Sequence, residues 1–158
     1  MTKKQAQQNP MHQAVSFLAR RDHSRHELKQ KLLSKEHTEE AVERVLNELQ
    51  KRSYLDDQRY AEMMLRHHSL RGQGPQKISF MLLQKGVSKS IVAEVFAEFD
   101  QDWYTLASEV RHKRFGDQFK SNDKNEQFKE KSKQMRFLMS RGFESDQIQC
   151  AMDEIVSG

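Results

Sequence analysis

A single cysteine, Cys150, leaves no partner for an internal disulfide anywhere in the 158 residues, and this fits a reducing compartment. Proline is almost absent, at two residues, so little interrupts helix formation. Aromatic residues make up only 8%, and alternating β-branched runs are missing, so nothing argues for strands. No apolar run approaches the ~20 residues that cross a bilayer. The N-terminal ten residues have no apolar stretch or small-residue cleavage site of a secretory signal, so residues 1–12 are read as a disordered polar tail and the chain as cytoplasmic. Missing too are the phosphate-binding loop, the dinucleotide fingerprint, the nucleophile elbow and the zincin and kinase signatures. An enzyme, a cofactor and a metal are therefore not expected.

What is present is a repeat. Leu28, Leu32, Leu33, Val42, Val45, Leu46 and Leu49 recur fifty positions later, without a gap, as Ile78, Leu82, Leu83, Val92, Val95, Phe96 and Phe99. A third copy, displaced by a further 56, carries Leu138, Met139, Phe143, Ile148, Ala151, Met152 and Ile155. The steps of three and four are those of one helix face. The expected fold is all-α: three tandem three-helix repeats over residues 13–53, 54–100 and 101–158, about nine helices in all, with a polar loop near 116–128 in the third. Leu28, Leu32, Val42, Leu46, Ile78, Leu82, Val92, Phe96, Leu138, Ile148 and Met152 are expected in the core.

Local chemistry marks the boundaries. The first helix is read over 14–20. Ser24 and Glu27 form a capping-box pattern, and Thr38 precedes Glu39 and Glu40 at a further helix start. In Tyr54-Leu55-Asp56-Asp57 the aspartate at 56 suits an N-cap, and Leu55 and Tyr60 are in staple positions. Pro75 after Gly74 suits a first helical position. Gly86 and Gly142 are placed to end the second helix of their units in the left-handed conformation. The first repeat carries Lys35-Glu36-His37 at that point, without the glycine, which leaves its turn open.

Seven histidines raise a metal site, but none has a carboxylate or thiol set at ligand spacing, and they read as solvated side chains. Asp56 and Asp57 read as a cap and a first-turn charge rather than as a catalytic pair. The 27 Lys and Arg exceed the 23 Asp and Glu by a formal +4, concentrated in the first 53 residues. Basic clusters follow the first helix of every repeat: Arg20-Arg21, Arg66 and Arg111-Lys113-Arg114, extended by Arg25, Arg71 and Lys77. Equivalent positions in a regular array line up, so these nine residues form a candidate basic stripe, weighed against the simpler role of complementing helix C-termini.

The ordered series Ser24-x-x-Glu27-Leu28-x-x-Lys31-Leu32, Tyr54-Leu55-Asp56-Asp57-x-Arg59-Tyr60-Ala61, Gly74-x-x-x-Ile78, Leu82-x-x-Lys85-Gly86-Val87 and Arg136-Phe137-Leu138-x-x-Arg141-Gly142-Phe143 resembles the RecX regulatory proteins. The resemblance runs over nearly the whole chain. It implies three three-helix units in an elongated, curved, right-angled array. It also implies a non-enzymatic partner of the RecA filament on single-stranded DNA, limiting filament growth, ATP hydrolysis, strand exchange and stimulated repressor self-cleavage. A direct DNA-binding helical protein is the alternative, and weak non-specific DNA contact fits beside either. No heptad seam points to a dimer, so a monomer is expected.

Overall fold

The computed structural model describes residues 9–155. Among these it contains nine α-helices and no β-strand: α1 (Pro10–Arg20), α2 (Arg25–Ser34), α3 (Glu39–Lys51), α4 (Asp57–Leu70), α5 (Pro75–Gln84), α6 (Lys89–Glu98), α7 (Trp103–Phe115), α8 (Lys124–Ser140) and α9 (Ser145–Met152). Two boundaries differ from the sequence reading. Helix α1 starts at Pro10, because the Asn9 side chain caps it by accepting from the Met11 and His12 N–H groups. Residues 9–12, expected in the tail, therefore belong to this helix and its cap, and residues 1–8 lie outside the described ones. In the third repeat the polar loop ends at Asp123, which caps α8 through the Asn125 N–H, so Lys124 to Phe128 are helical.

The apolar register places the core. Ten of the eleven expected core residues are buried, from Leu28 to Met152; Phe96 is only half-buried. Leu33, Leu83 and Met139, equivalent positions of the three copies, lie off the buried line, with Leu83 40% and Met139 64% exposed. The caps act largely as their residue types dictate. Thr38, Asp56, Ser88 and Asp102 each accept from backbone N–H groups of the turn that follows. At Ser24 only half of the box forms: its hydroxyl accepts from the Glu27 N–H at 3.1 Å, but the Glu27 carboxylate turns to Arg21 instead of returning to the cap.

Gly86 and Gly142 have φ of +80° and +94°, as their place after the second helix required. Their turns close with the same bonds: Val87 N–H donates to Leu82 O, and Phe143 N–H to Leu138 O. Glu36 keeps the turn without the glycine, taking φ of +68° itself, with its N–H donating to Leu33 O. A Cβ in that conformation costs ~1–2 kcal/mol, which the rest of the fold offsets.

The chain groups into two compact units that cut across the second repeat. The first comprises residues 1–64 and 82–98, the second residues 65–81 and 99–158. In the first, α1, α2 and α3 pack on one another around Leu28, Leu32, Leu46 and Leu49. In the second, α7, α8 and α9 enclose Ala107, Leu138, Phe143 and Ile148.

Each unit contains the same junction, made where a glycine turn meets the start of a second helix. In the first unit the Ser24 hydroxyl donates to Lys85 O at 2.6 Å, and a Cβ on Gly86 would stand 2.3 Å from His26 Cβ. In the second, Gly74 N–H donates to Arg141 O at 2.7 Å and Gln76 N–H to Gly142 O at 2.9 Å. There a Cβ on Gly142 would stand 2.3 Å from Lys77 Cβ, and one on Gly74 would stand 2.5 Å from the Gly142 carbonyl. Residue 24 answers to 74 and residue 85 to 141, so the sequence repeat is also a repeat of contacts. In the second unit free N–H groups at a helix start meet carbonyls at a helix end and satisfy both sets of orphan groups; in the first the Ser24 hydroxyl is the donor.

Candidate binding cleft

The nine stripe residues have different fates. Arg21 is held by Glu27 in a two-pronged pair, Nη1 to Oε1 at 3.1 Å and Nη2 to Oε2 at 2.7 Å. Burial alone would push the Glu27 carboxyl up, but hydrogen bonds from Arg21 and the nearby charges of Arg21, His23 and Lys85 hold it below the ordinary value. Arg25 fastens α2 to α3, donating to Gln50, Glu43 and Asn47 at 2.5, 2.6 and 2.9 Å. Arg111 does not belong to an exposed stripe at all. Its side chain is fully buried, with Nη1 donating to Gly116 O at 2.7 Å and Nη2 3.7 Å from Asp117. It faces inward because it closes the turn at Gly116, whose φ is +79°. Arg20 and Arg66 are exposed, and Lys77 is half-buried against the Gly142 turn.

The remaining three converge. Arg71, Lys113 and Arg114 line one cleft of about 520 Å³ in the second unit, together with Arg141. Its apolar lining comprises Leu70, Leu106, Val110 and Phe137, with Leu70 82% exposed. Glu109 is the one carboxylate in the lining. Among the described residues none of the four cations has an ion-pair partner, whereas Arg21, Arg25, Lys29, Arg52, Arg59 and Lys85 all do.

Local structure positions these cations. Gly72 has φ of +80°, and a Cβ there would stand 2.9 Å from Val110 Cγ2, so the turn carrying Arg71 lies tightly on α7. Phe115 and Phe137 meet edge to face at 5.3 Å. The Arg141 guanidinium lies 5.0 Å from the centre of the Phe137 ring, and that of Arg114 lies 5.9 Å from the same ring and 5.5 Å from Phe115. Stacking of this kind orients a guanidinium while leaving its N–H edge free for a ligand. Arg141 was not among the sequence candidates for the cleft, because the sequence marks it only as part of the glycine turn. The signal was its spacing of four from Phe137, which puts the two on one helix face.

Leu55 and Tyr60 are buried, and Tyr54 is exposed. Asp56 caps α4, while Asp57 reaches the start of another helix, accepting from Arg25 N–H at 2.8 Å. The adjacent aspartates thus cap two helices, α4 and α2. One histidine departs from the solvated reading: His23 is buried, its Nδ1 3.0 Å from Arg21 O and its Nε2 2.8 Å from Lys31 Nζ. The carbonyl requires a proton on Nδ1, so Nε2 accepts from the ammonium. Cys150 is exposed. No group of His, Cys, Asp and Glu among the described residues is arranged to hold a metal, and no described helix is long and apolar enough to cross a membrane.

The fold defines a class: helical repeat proteins assembled from three-helix units. The first, second and third three-helix domains of RecX match residues 11–49, 56–95 and 100–152 in order. The regulatory protein RecX of Vibrio vulnificus is 40% identical over 141 residues, covering 89% of both chains. That of Halorhodospira halophila is 38% identical over 138 residues, covering 87% of this chain and 83% of its own. The crystal structure of RecX from Lactobacillus salivarius has the same fold, with a TM-score of 0.75 at 21% identity, covering 92% of this chain and 94% of its own. A second crystal structure of a regulatory protein RecX gives 0.78 at 23%, covering 95% of this chain and 75% of its own. The chain belongs to the RecX family of regulatory proteins.

Proposed function

We propose that this protein is a non-enzymatic regulator in the cytoplasm, acting as a monomer that binds the RecA filament on single-stranded DNA. There it inhibits filament growth, ATP hydrolysis, strand exchange and the stimulation of repressor self-cleavage, and so acts in recombinational repair and the SOS response. The observation that carries this reading is membership of the RecX family through all three domains in order. Cations without internal partners support it, since a nucleoprotein filament offers them the opposite charge. RecA ATPase on single-stranded DNA tests it: activity should fall as this protein is added. The variant carrying Arg20→Glu, Arg66→Glu and Arg114→Glu should lose that effect while melting near wild type. An ATPase indifferent to saturating wild-type protein overturns the reading. Normal inhibition by the triple variant removes these three residues from the binding surface and leaves the rest in place.

A further inference from the structure

We infer that the cleft between the 70–72 turn, α7 and the end of α8 takes an acidic peptide segment of the regulated partner, with one apolar side chain seated on Leu70 and Val110. The inference rests on the regulatory reading for the partner, and on the cleft alone for its chemistry. Three arginines and a lysine face one glutamate here. Among the described residues none of the four has an ion pair, although carboxylates engage Arg21, Arg25, Lys29, Arg52, Arg59 and Lys85 in the first unit. Four unpaired cations gathered around one cleft, against a single carboxylate, are complementary to carboxylates brought from outside.

The apolar lining separates a peptide from a nucleic acid. A single strand held without sequence preference uses aromatic faces on which bases stack. Phe137 is the one aromatic side chain in the lining, and its ring is already engaged by Arg141 and Arg114 and by the edge contact with Phe115. A base would have to compete with these contacts for the ring. Leu70, 82% exposed beside Arg71, instead offers an aliphatic contact that an apolar side chain can cover. The stacked guanidiniums present flat N–H edges, which suit the two oxygens of a carboxylate.

The test uses the full-length protein and a fluorescein-labelled hexapeptide, Asp-Glu-Phe-Asp-Glu-Asp, followed by fluorescence anisotropy. Saturable binding that weakens with salt is expected. It should weaken at least about tenfold in the variant carrying Arg71→Glu and Lys113→Glu, both exposed and outside the aromatic stack. Leu70→Ser should weaken the peptide several-fold, and Lys89→Glu, on α6, should leave it unchanged. The amide analogue, Asn-Gln-Phe-Asn-Gln-Asn, should not bind. Absence of saturable peptide binding overturns the inference, as does tighter binding of a labelled oligo-dT that depends on Arg71 and Lys113 but not on Leu70. RecA ATPase measured with the same preparations keeps the two readings apart. Inhibition without peptide binding sinks only the cleft's assignment, and peptide binding without inhibition sinks only the RecA reading.

Discussion

Glu36 shows how a single residue can carry a turn its type disfavours. At φ of +68° it does the work of Gly86 and Gly142 in the other two repeats, so Glu36→Gly should stabilise the protein by ~0.5–1 kcal/mol, the gain in αL strain less the added chain entropy. Urea unfolding would read this as a higher midpoint at unchanged slope. The opposite holds at Gly74, where a Cβ would stand 2.5 Å from the Gly142 carbonyl. Gly74→Ala should cost ~2 kcal/mol or more, because the obstacle is backbone and does not swing aside. A residue with a proton to gain is His23. Burial lowers its pKa from the ordinary 6.5, with the Arg21 and Lys31 charges adding to this and the Arg21 carbonyl opposing it. Below 6.5 the unfolded chain therefore takes up a proton that the folded one still refuses, and stability falls as pH drops toward the folded value. The melting temperature should be lower at about pH 5.5 than at about pH 7.5, and the drop should shrink in His23→Gln. It should not vanish, because burial also lowers His68. Below 4.5 the loss of the Glu27 carboxylate adds a second decline.

Among the elements, α2 shows what sequence pattern reveals and where it stops. Its start at Ser24, its buried Leu28 and Leu32 and the turn after Ser34 follow from local chemistry and a period of 3.6. The second cap on its first N–H, Asp57, lies 32 residues away, and nothing in the local pattern points from one to the other. Cations are harder still. Sequence identifies Arg21, Arg25, Arg111 and Arg114 as equally basic, yet the fold pairs the first two, buries the third and leaves the fourth in the cleft. Which arginine remains available depends on where carboxylates arrive from other helices, and that is tertiary information. The caps make a quantitative test. Ser24→Ala and Asp57→Ala should each cost ~1–2 kcal/mol. Because both side chains satisfy N–H groups of the same first turn, the double variant should depart from additivity by ~0.5 kcal/mol or more, measured by chemical denaturation of all four proteins.

For the whole molecule, the three-repeat reading and the two compact units describe different things. Repeats are legible because each copies its own apolar stripe. Units are not, since they follow from Ser24 meeting Lys85 and Gly74 meeting Arg141, contacts between one repeat and the next. A protein ended at residue 100 should consequently keep the first unit and lose protection at Gly74 and Gln76, whose N–H groups donate to Arg141 and Gly142. Amide exchange should be fast at those two positions in the shortened chain and slow in the full one.

The interleaving of the units also bears on synthesis at the ribosome. Segment 82–98 completes a unit begun at the N-terminus, while segment 65–81, already made, waits for residues 99 onward. Domains that occupy one stretch of chain can close as they emerge, at the ~5–20 residues per second of translation. Here the first unit closes only when residue 98 has cleared the exit tunnel, and the glycine turn of the last repeat must emerge before the 65–81 stretch finds its carbonyls. Assembly is therefore stitched rather than sequential, and a pause in translation between residues 81 and 98 leaves a nascent chain with neither unit complete.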